Sequence, residues 1–333
     1  MSTPATRRKV TDIFSRDEIR MLTERSDLRG LTAVGFTWLV IGGCFVAQAW
    51  ASQQSMMIFL PVLLLALCVI GGRQLSLAIL MHDASHGTLF KSKGLNNVLA
   101  DWLCARPIWN DLHKYRAHHV IHHTRTGQQD DPDLSLVAPF PTTRASLARK
   151  LLRDITGITG IKFFIGRFLM DTGYIKWTVA NDVVRLPDEG MTLPRRFMLL
   201  LRNATPALIV NGLLLAALWA AGHAWLFLVW VVAYMTTFSV FVRIRSMAEH
   251  ACTQPGADMF LNTRTTRAGL LARATVAPLN VNYHIEHHVM ASVPYFRLPL
   301  MHRLLRERGA VPTPPGYLEV LRIVSSKTPA SAG

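Results

Sequence analysis

Four uncharged apolar runs leave this chain few folds to choose from. Residues 31–50, 56–72, 204–222 and 224–242 contain no Asp, Glu, Lys or Arg. A helix needs roughly 17–25 such residues to cross a hydrocarbon core about 30 Å thick. Only a helix or a closed barrel satisfies its own backbone polar groups in lipid. The second run keeps its apolar pattern to residue 81, which places the spans at about 31–50, 56–81, 204–222 and 224–242. Short uncharged turns at 51–55 and around His223 join them in pairs. The expectation is an all-α integral membrane protein whose four transmembrane helices form two hairpins. Buried helices of a large soluble protein are the competing reading, but four such runs rarely coincide in one.

Charge placement orients the hairpins. Of the 36 Lys and Arg, seven lie in residues 1–30, one is Arg73, seventeen lie in 81–202 and eleven follow residue 242. Neither outer turn carries any, so both termini and the long central segment are expected on the cytoplasmic side. The net charge of +15 then follows from topology and contact with anionic lipid, with no need for a nucleic-acid partner. Only 17% of residues are charged and half are hydrophobic, which excludes a disordered chain. It also argues against an ordinary cytosolic enzyme, where about a quarter are charged.

The chain reads as one domain over 1–333. Residues 1–30 form a cytoplasmic segment rather than a cleaved signal, since their mixed charges precede the first span. Within it Ser15 and Glu18 make a capping box for a short surface helix over 16–29. Residues 82–203 and 243–324 form a cytoplasmic helical cap, with 95–109 and 157–170 lying on the membrane face. Pro141, Pro187 and residues 312–315 punctuate loops, and 325–333 reads as a flexible tail. Cys44, Cys68, Cys104 and Cys252 have no paired spacing and read as reduced, buried thiols.

The thirteen histidines are clustered. His82 and His86 stand in H-D-A-S-H; His119, His122 and His123 in H-V-I-H-H; His284, His287 and His288 in H-I-E-H-H. Separations of three and four share a helix face, with Cβ atoms about 5–6 Å apart. One such pair is a common surface accident; three clusters are not. Eight imidazoles exceed what one tetrahedral zinc uses, suit two metals, and are compatible with non-haem iron. His82 lies nine residues past Arg73, and His250 eight past Val242. Both therefore project about 12–14 Å beyond the membrane boundary, which makes His250 a ninth ligand candidate. His118 faces about 100° away from His119 on a helix and reads as a structural or supporting group. His113 reads in the same way as His118, His302 reads as a surface residue, and His223 falls in an outer turn.

With these residues placed, the chain resembles the membrane fatty acid desaturase family, integral membrane di-iron enzymes with three histidine boxes. The matching residues are H-D-A-S-H at 82–86, H-V-I-H-H at 119–123 and N-Y-H-I-E-H-H at 282–288, and the likeness covers about 15–310. It implies that the cap holds two ferrous ions, bound by His82, His86, His119, His122, His123, His250, His284, His287 and His288. Asp83, Glu249 and Glu286, with His118, would hold imidazoles through their other ring nitrogen. The D-D-P-D run with Asp130, Asp131 and Asp133 reads first as a turn, with positioning of a ligand as the second reading. With O2 as co-substrate, such a centre breaks unactivated C–H bonds, and the metal carries the hard step. The implied activity is desaturation of a fatty acyl chain, free or lipid-linked, at the cytoplasmic face of a bacterial inner membrane. Hydroxylation or oxidative decarboxylation within the same family stays open.

No flavin or nicotinamide motif, ferredoxin-like cysteine set or H-P-G-G haem motif is present, so a separate electron donor of ferredoxin or cytochrome type is expected. The basic cytoplasmic surface suits an acidic one. A haem bundle would need histidines inside the spans, and a transporter would place its ligands at the bilayer midplane. A single-zinc membrane hydrolase would use fewer ligands and a dedicated base.

Overall fold

The computed structural model describes residues 9–328 and is helical throughout, with no β-strand among them beyond isolated bridges. Residues 1–8 and 329–333, parts of the N-terminal segment and the tail, lie outside the described residues.

Helix α1 (Arg16–Leu22) starts with the expected box. The Ser15 N–H donates to Glu18 at 2.8 Å and the Glu18 N–H to Ser15 at 3.3 Å. It stops seven residues earlier than expected, because the Thr23 hydroxyl bonds the Ile19 carbonyl and Ser26 caps the next helix. That helix, α2 (Asp27–Ala51), is followed after residues 52–55 by α3 (Met56–Ser85), and the two pack together. At 30 residues, α3 is about 45 Å long, longer than a bilayer core. Its last turn carries His82.

After α4 (Leu112–Arg125), α5 (Arg144–Ile155) and α6 (Ile158–Asp171) come two more long helices, α7 (Leu193–Ala220) and α8 (Leu226–His250). All four long helices are apolar enough to cross a membrane. Their exposed residues include Leu39, Val46, Leu64, Leu213 and Leu228, each more than half exposed, an apolar surface that water would not tolerate. Helix α7 begins eleven residues before the expected span. The charged stretch is helical because Thr192 caps it and buried Arg196 pairs with Asp188.

Close packing of α3 on α8 fixes the heights of the helix ends. A Cβ on Gly71 would meet the Thr237 hydroxyl at 2.2 Å, so only glycine allows this approach. Thr237 donates to the Leu67 carbonyl at 2.6 Å, and Gln74 to that of Trp230 at 2.9 Å.

Outside the spans, residues 95–108 form irregular helical turns around buried Cys104 and Ile108. Helix α6 sets Ile158, Ile161, Ile165 and Phe168 along one exposed stripe. Asp111 caps α4 by accepting from the His113 and Lys114 N–H groups at 2.9 and 3.0 Å. Helices α9 (His284–Val289) and α10 (Leu298–Glu307) bury Ile285, Met301 and Leu305 against Phe14 and Leu22, and α11 (Tyr317–Val324) packs Val320 and Val324 against Met247 and Ala248. The start of the expected tail is docked, since the Lys327 N–H donates to the Thr142 carbonyl at 3.1 Å. The four thiols are unpaired, but Cys68 is exposed, on the apolar surface, and only Cys104 is fully buried.

Candidate metal centre

The ends of α3 and α8, one face of α4 and the short α9 meet at one place, and each brings histidines. His82, His86, His119, His123 and His287 form one group, and His122, His250 and His288 a second. His250 also stands with His284 and Glu249. Within each group the candidate ligand atoms lie within 4.8 Å of one another. All nine histidines expected as ligands are thus brought together. The groups adjoin, because the His123 and His288 rings stack at 4.2 Å.

Nitrogens face nitrogens across the centre. His119 Nε2 and His123 Nε2 are 3.1 Å apart, His123 Nε2 and His287 Nε2 3.0 Å, and His250 Nε2 and His284 Nε2 2.8 Å. Nε2 of His82, His86 and His288 is buried with no hydrogen-bond partner among the described residues. Buried polar atoms are seldom left so, and imidazole nitrogens with free lone pairs are what a cation binds.

Electrostatics keep most of these lone pairs available. Burial, then Arg116 and His122, pull His86 down to about 4. Burial and the neighbouring His86, His122 and His250 pull His123 down to about 2. Burial also holds His119, His284, His287 and His288 well below the ordinary imidazole value. His122 differs: burial lowers it, but the Asp131 hydrogen bond and the charge of Asp133 raise it further, and the net shift is upward.

Carboxylates fix several rings from behind. Nδ1–H of His82 donates to Asp83 at 2.9 Å, and Nδ1–H of His122 donates to Asp131 at 2.8 Å, leaving each Nε2 aimed inward. Asp131 also accepts from the Asp133 N–H at 2.9 Å, so the D-D-P-D run is a turn and a ring holder together. His118 points out of the centre, its Nε2–H donating to Asp133 at 2.7 Å. Glu249 sits closer than expected, 3.5 Å from His284 Nδ1, and accepts from Arg245 at 2.7 Å. Glu286 holds none of the nine; it accepts from Thr265 at 2.5 Å and from His302 at 2.6 Å. His302, expected at the surface, is therefore a part-buried support for the segment carrying His284, His287 and His288. His113 is exposed, and His223 lies in the turn between α7 and α8. Thr126, whose hydroxyl bonds the His122 carbonyl at 2.5 Å and approaches His288 Nδ1 at 3.3 Å, was not foreseen. Nor was Tyr115, stacked on His119 at 5.0 Å.

The profile of the family described as Fatty acid desaturase matches residues 55–315. The chain belongs to the fatty acid desaturase family. Family relatives differ in what their names say they act on. The chain is similar to a dihydrorhizobitoxine desaturase of Bradyrhizobium elkanii, 29% identical over 92% of this chain and 82% of the relative. It is similar to the sn-1 acyl-lipid omega-3 desaturase (ferredoxin) of Synechocystis sp., 24% identical over 80% and 72%. A third relative is the beta-carotene ketolase of a Paracoccus strain, 27% identical over 71% of this chain and 78% of its own. The chain is an oxidoreductase of this family with membrane-type helices and histidine clusters able to hold metal.

Proposed function

We propose that the protein is an O2-dependent di-iron desaturase acting on an alkyl or acyl chain, with the nine histidines as iron ligands. The observation that carries this reading is the gathering of nine largely neutral imidazoles into adjoining groups at the ends of apolar helices. His82, His86, His119, His123 and His287 would hold one iron, and His122, His250, His284 and His288 the other, with Glu249 beside the second. Bound iron supplies the power to activate O2 for removal of hydrogen from an unactivated C–H bond.

The chain's own residues prepare for that. Asp83 and Asp131 fix the tautomer and aim of His82 and His122, which keeps their Nε2 lone pairs inward. Burial keeps most of the imidazoles neutral, and the packed ends of α3 and α8 hold the histidines at one height. The overall change balances when two neighbouring methylenes lose two hydrogens and O2, with two electrons and two protons, becomes two waters. The electrons need a separate donor, and the name of the Synechocystis relative points to a ferredoxin.

In this reading the helices pair as two membrane hairpins, the site and both chain ends face the cytoplasm, and the exposed stripe of α6 lies on the inner membrane. A second reading has one observation in its favour: a relative is named a ketolase. Incubation with candidate alkyl substrates, reductant and O2, followed by mass spectrometry, separates them. Loss of two mass units supports desaturation; gain of an oxygen replaces it.

A further inference from the structure

Against His86 opens a cleft of about 260 Å³. At ~30 Å³ per water, it holds a small polar group and a few carbons. Its walls carry Arg25, Lys91, Lys93 and Arg116 with Asn97, and no carboxylate lines it. Arg116 is fixed: Nε donates to the Ser85 carbonyl at 2.8 Å, and Nη2 to the Ala84 carbonyl at 3.0 Å and Asn97 Oδ1 at 2.8 Å. Its Nη1 has no hydrogen-bond partner among the described residues. Asp27, the acid near Lys91, is already engaged, accepting from the Ser92 N–H at 2.8 Å and its hydroxyl at 2.6 Å. Arg25 and Lys93 pair with no carboxylate among the described residues. Four cations around one concavity attract an anion strongly, and a guanidinium fixed by backbone carbonyls presents its remaining donors in a set direction.

His86 is both a wall of this cleft and a member of the five-histidine group, so whatever binds there lies beside the centre. We infer that this cleft receives the acidic end of the substrate, a carboxylate or phosphate carried on the alkyl chain. Arg25, Lys91, Lys93 and Arg116 are the groups that recognise it. The assignment rests on the desaturase reading of the histidine centre and adds to it the head-group class that reading leaves open.

Calorimetry on the full metal-loaded chain in a neutral detergent tests this, with hexanoate, hexyl phosphate and hexanamide as probes. At least one anion binds about tenfold or more tighter than the amide, and the stronger of the two names the source of the charge. A variant carrying Arg25→Ala and Lys91→Ala, both at exposed positions, loses about tenfold in anion binding while amide binding stays as it was. Equal binding of all three probes, or a variant that binds anions like the parent, overturns the inference. So does a variant with unchanged anion binding that is reduced more slowly by a ferredoxin, which would give the cleft to an acidic electron donor. A chain that takes up no iron would defeat the desaturase reading, yet the three probes would still report on the cleft.

Discussion

Asp131 offers a sharp test, because its carboxylate touches one ring of one group only. It is 8% exposed and accepts three hydrogen bonds, from His122 Nδ1 at 2.8 Å, the Asp133 N–H at 2.9 Å and the Gly127 N–H at 3.2 Å. Losing a carboxylate that orients a ligand histidine typically costs about 10–100-fold in metal affinity, or about 1.4–2.7 kcal/mol. Asp131→Ala is therefore expected to weaken the metal held by His122, His250, His284 and His288 by that factor and to leave the five-histidine group near its parent affinity. The two orphaned backbone N–H groups cost about 1–3 kcal/mol each, and that loss appears in stability. Asp131→Asn keeps an acceptor for His122 and should lose less than tenfold. Iron titration of metal-free protein against a chelator reads two affinities, and a thermal melt reports folding separately. An Asp131→Ala protein with both affinities unchanged, or with both lowered equally, refutes the argument.

Other expectations follow from the same geometry. His250→Ala should lose product and about half of its iron, whereas His118→Ala, whose ring faces Asp133, should keep its metal and measurable turnover; product formation and metal analysis check both. In a variant stripped of its four cysteines, cysteines placed at Gln53 and His223 should react with a membrane-impermeant reagent from outside the cell, and those at the exposed Asp130 and Glu307 should not. The metal-free protein should lose stability as pH falls below about 6.5. Unfolding frees His86 and His123, held near 4 and 2, to take up protons that the folded chain refuses, so their contribution is full above the unfolded value and is lost on acidification. His122, raised by Asp131, and the carboxyls of Asp83 and Glu249, which burial pushes up to about 8 and about 7, act in the opposite direction but stand against a larger number of depressed rings. Melting temperature against pH measures this, and a flat profile from pH 7 to pH 4 contradicts it.

Much of the site was legible because its ligands come in helix-period clusters. Spacing alone put His82 with His86, and His119 with His122 and His123, on common faces, and projected height brought in His250. What was hidden depends on contacts between segments distant in sequence. Thr265 reaches Glu286 across 21 residues with no periodic signal. His302 looked like part of a basic surface because Arg303 and Arg306 flank it. It nevertheless stands beside Leu298, Met301 and Leu305, the buried stripe of α10, and that phase was the available clue. Asp131 was read as turn chemistry because a carboxylate that accepts from the backbone two residues on looks the same in sequence whether or not a histidine also reaches it. The boundaries of α7 were missed for another reason: arginines suggest a loop, whereas Arg196 is buried through its ion pair.

Metal content decides whether the nine histidines hold iron. Elemental analysis of the folded full chain, purified in a non-denaturing detergent, should find two irons per chain with no haem absorbance. One zinc per chain and no iron, in protein that is folded and active, would contradict the assignment of the nine histidines to a di-iron centre.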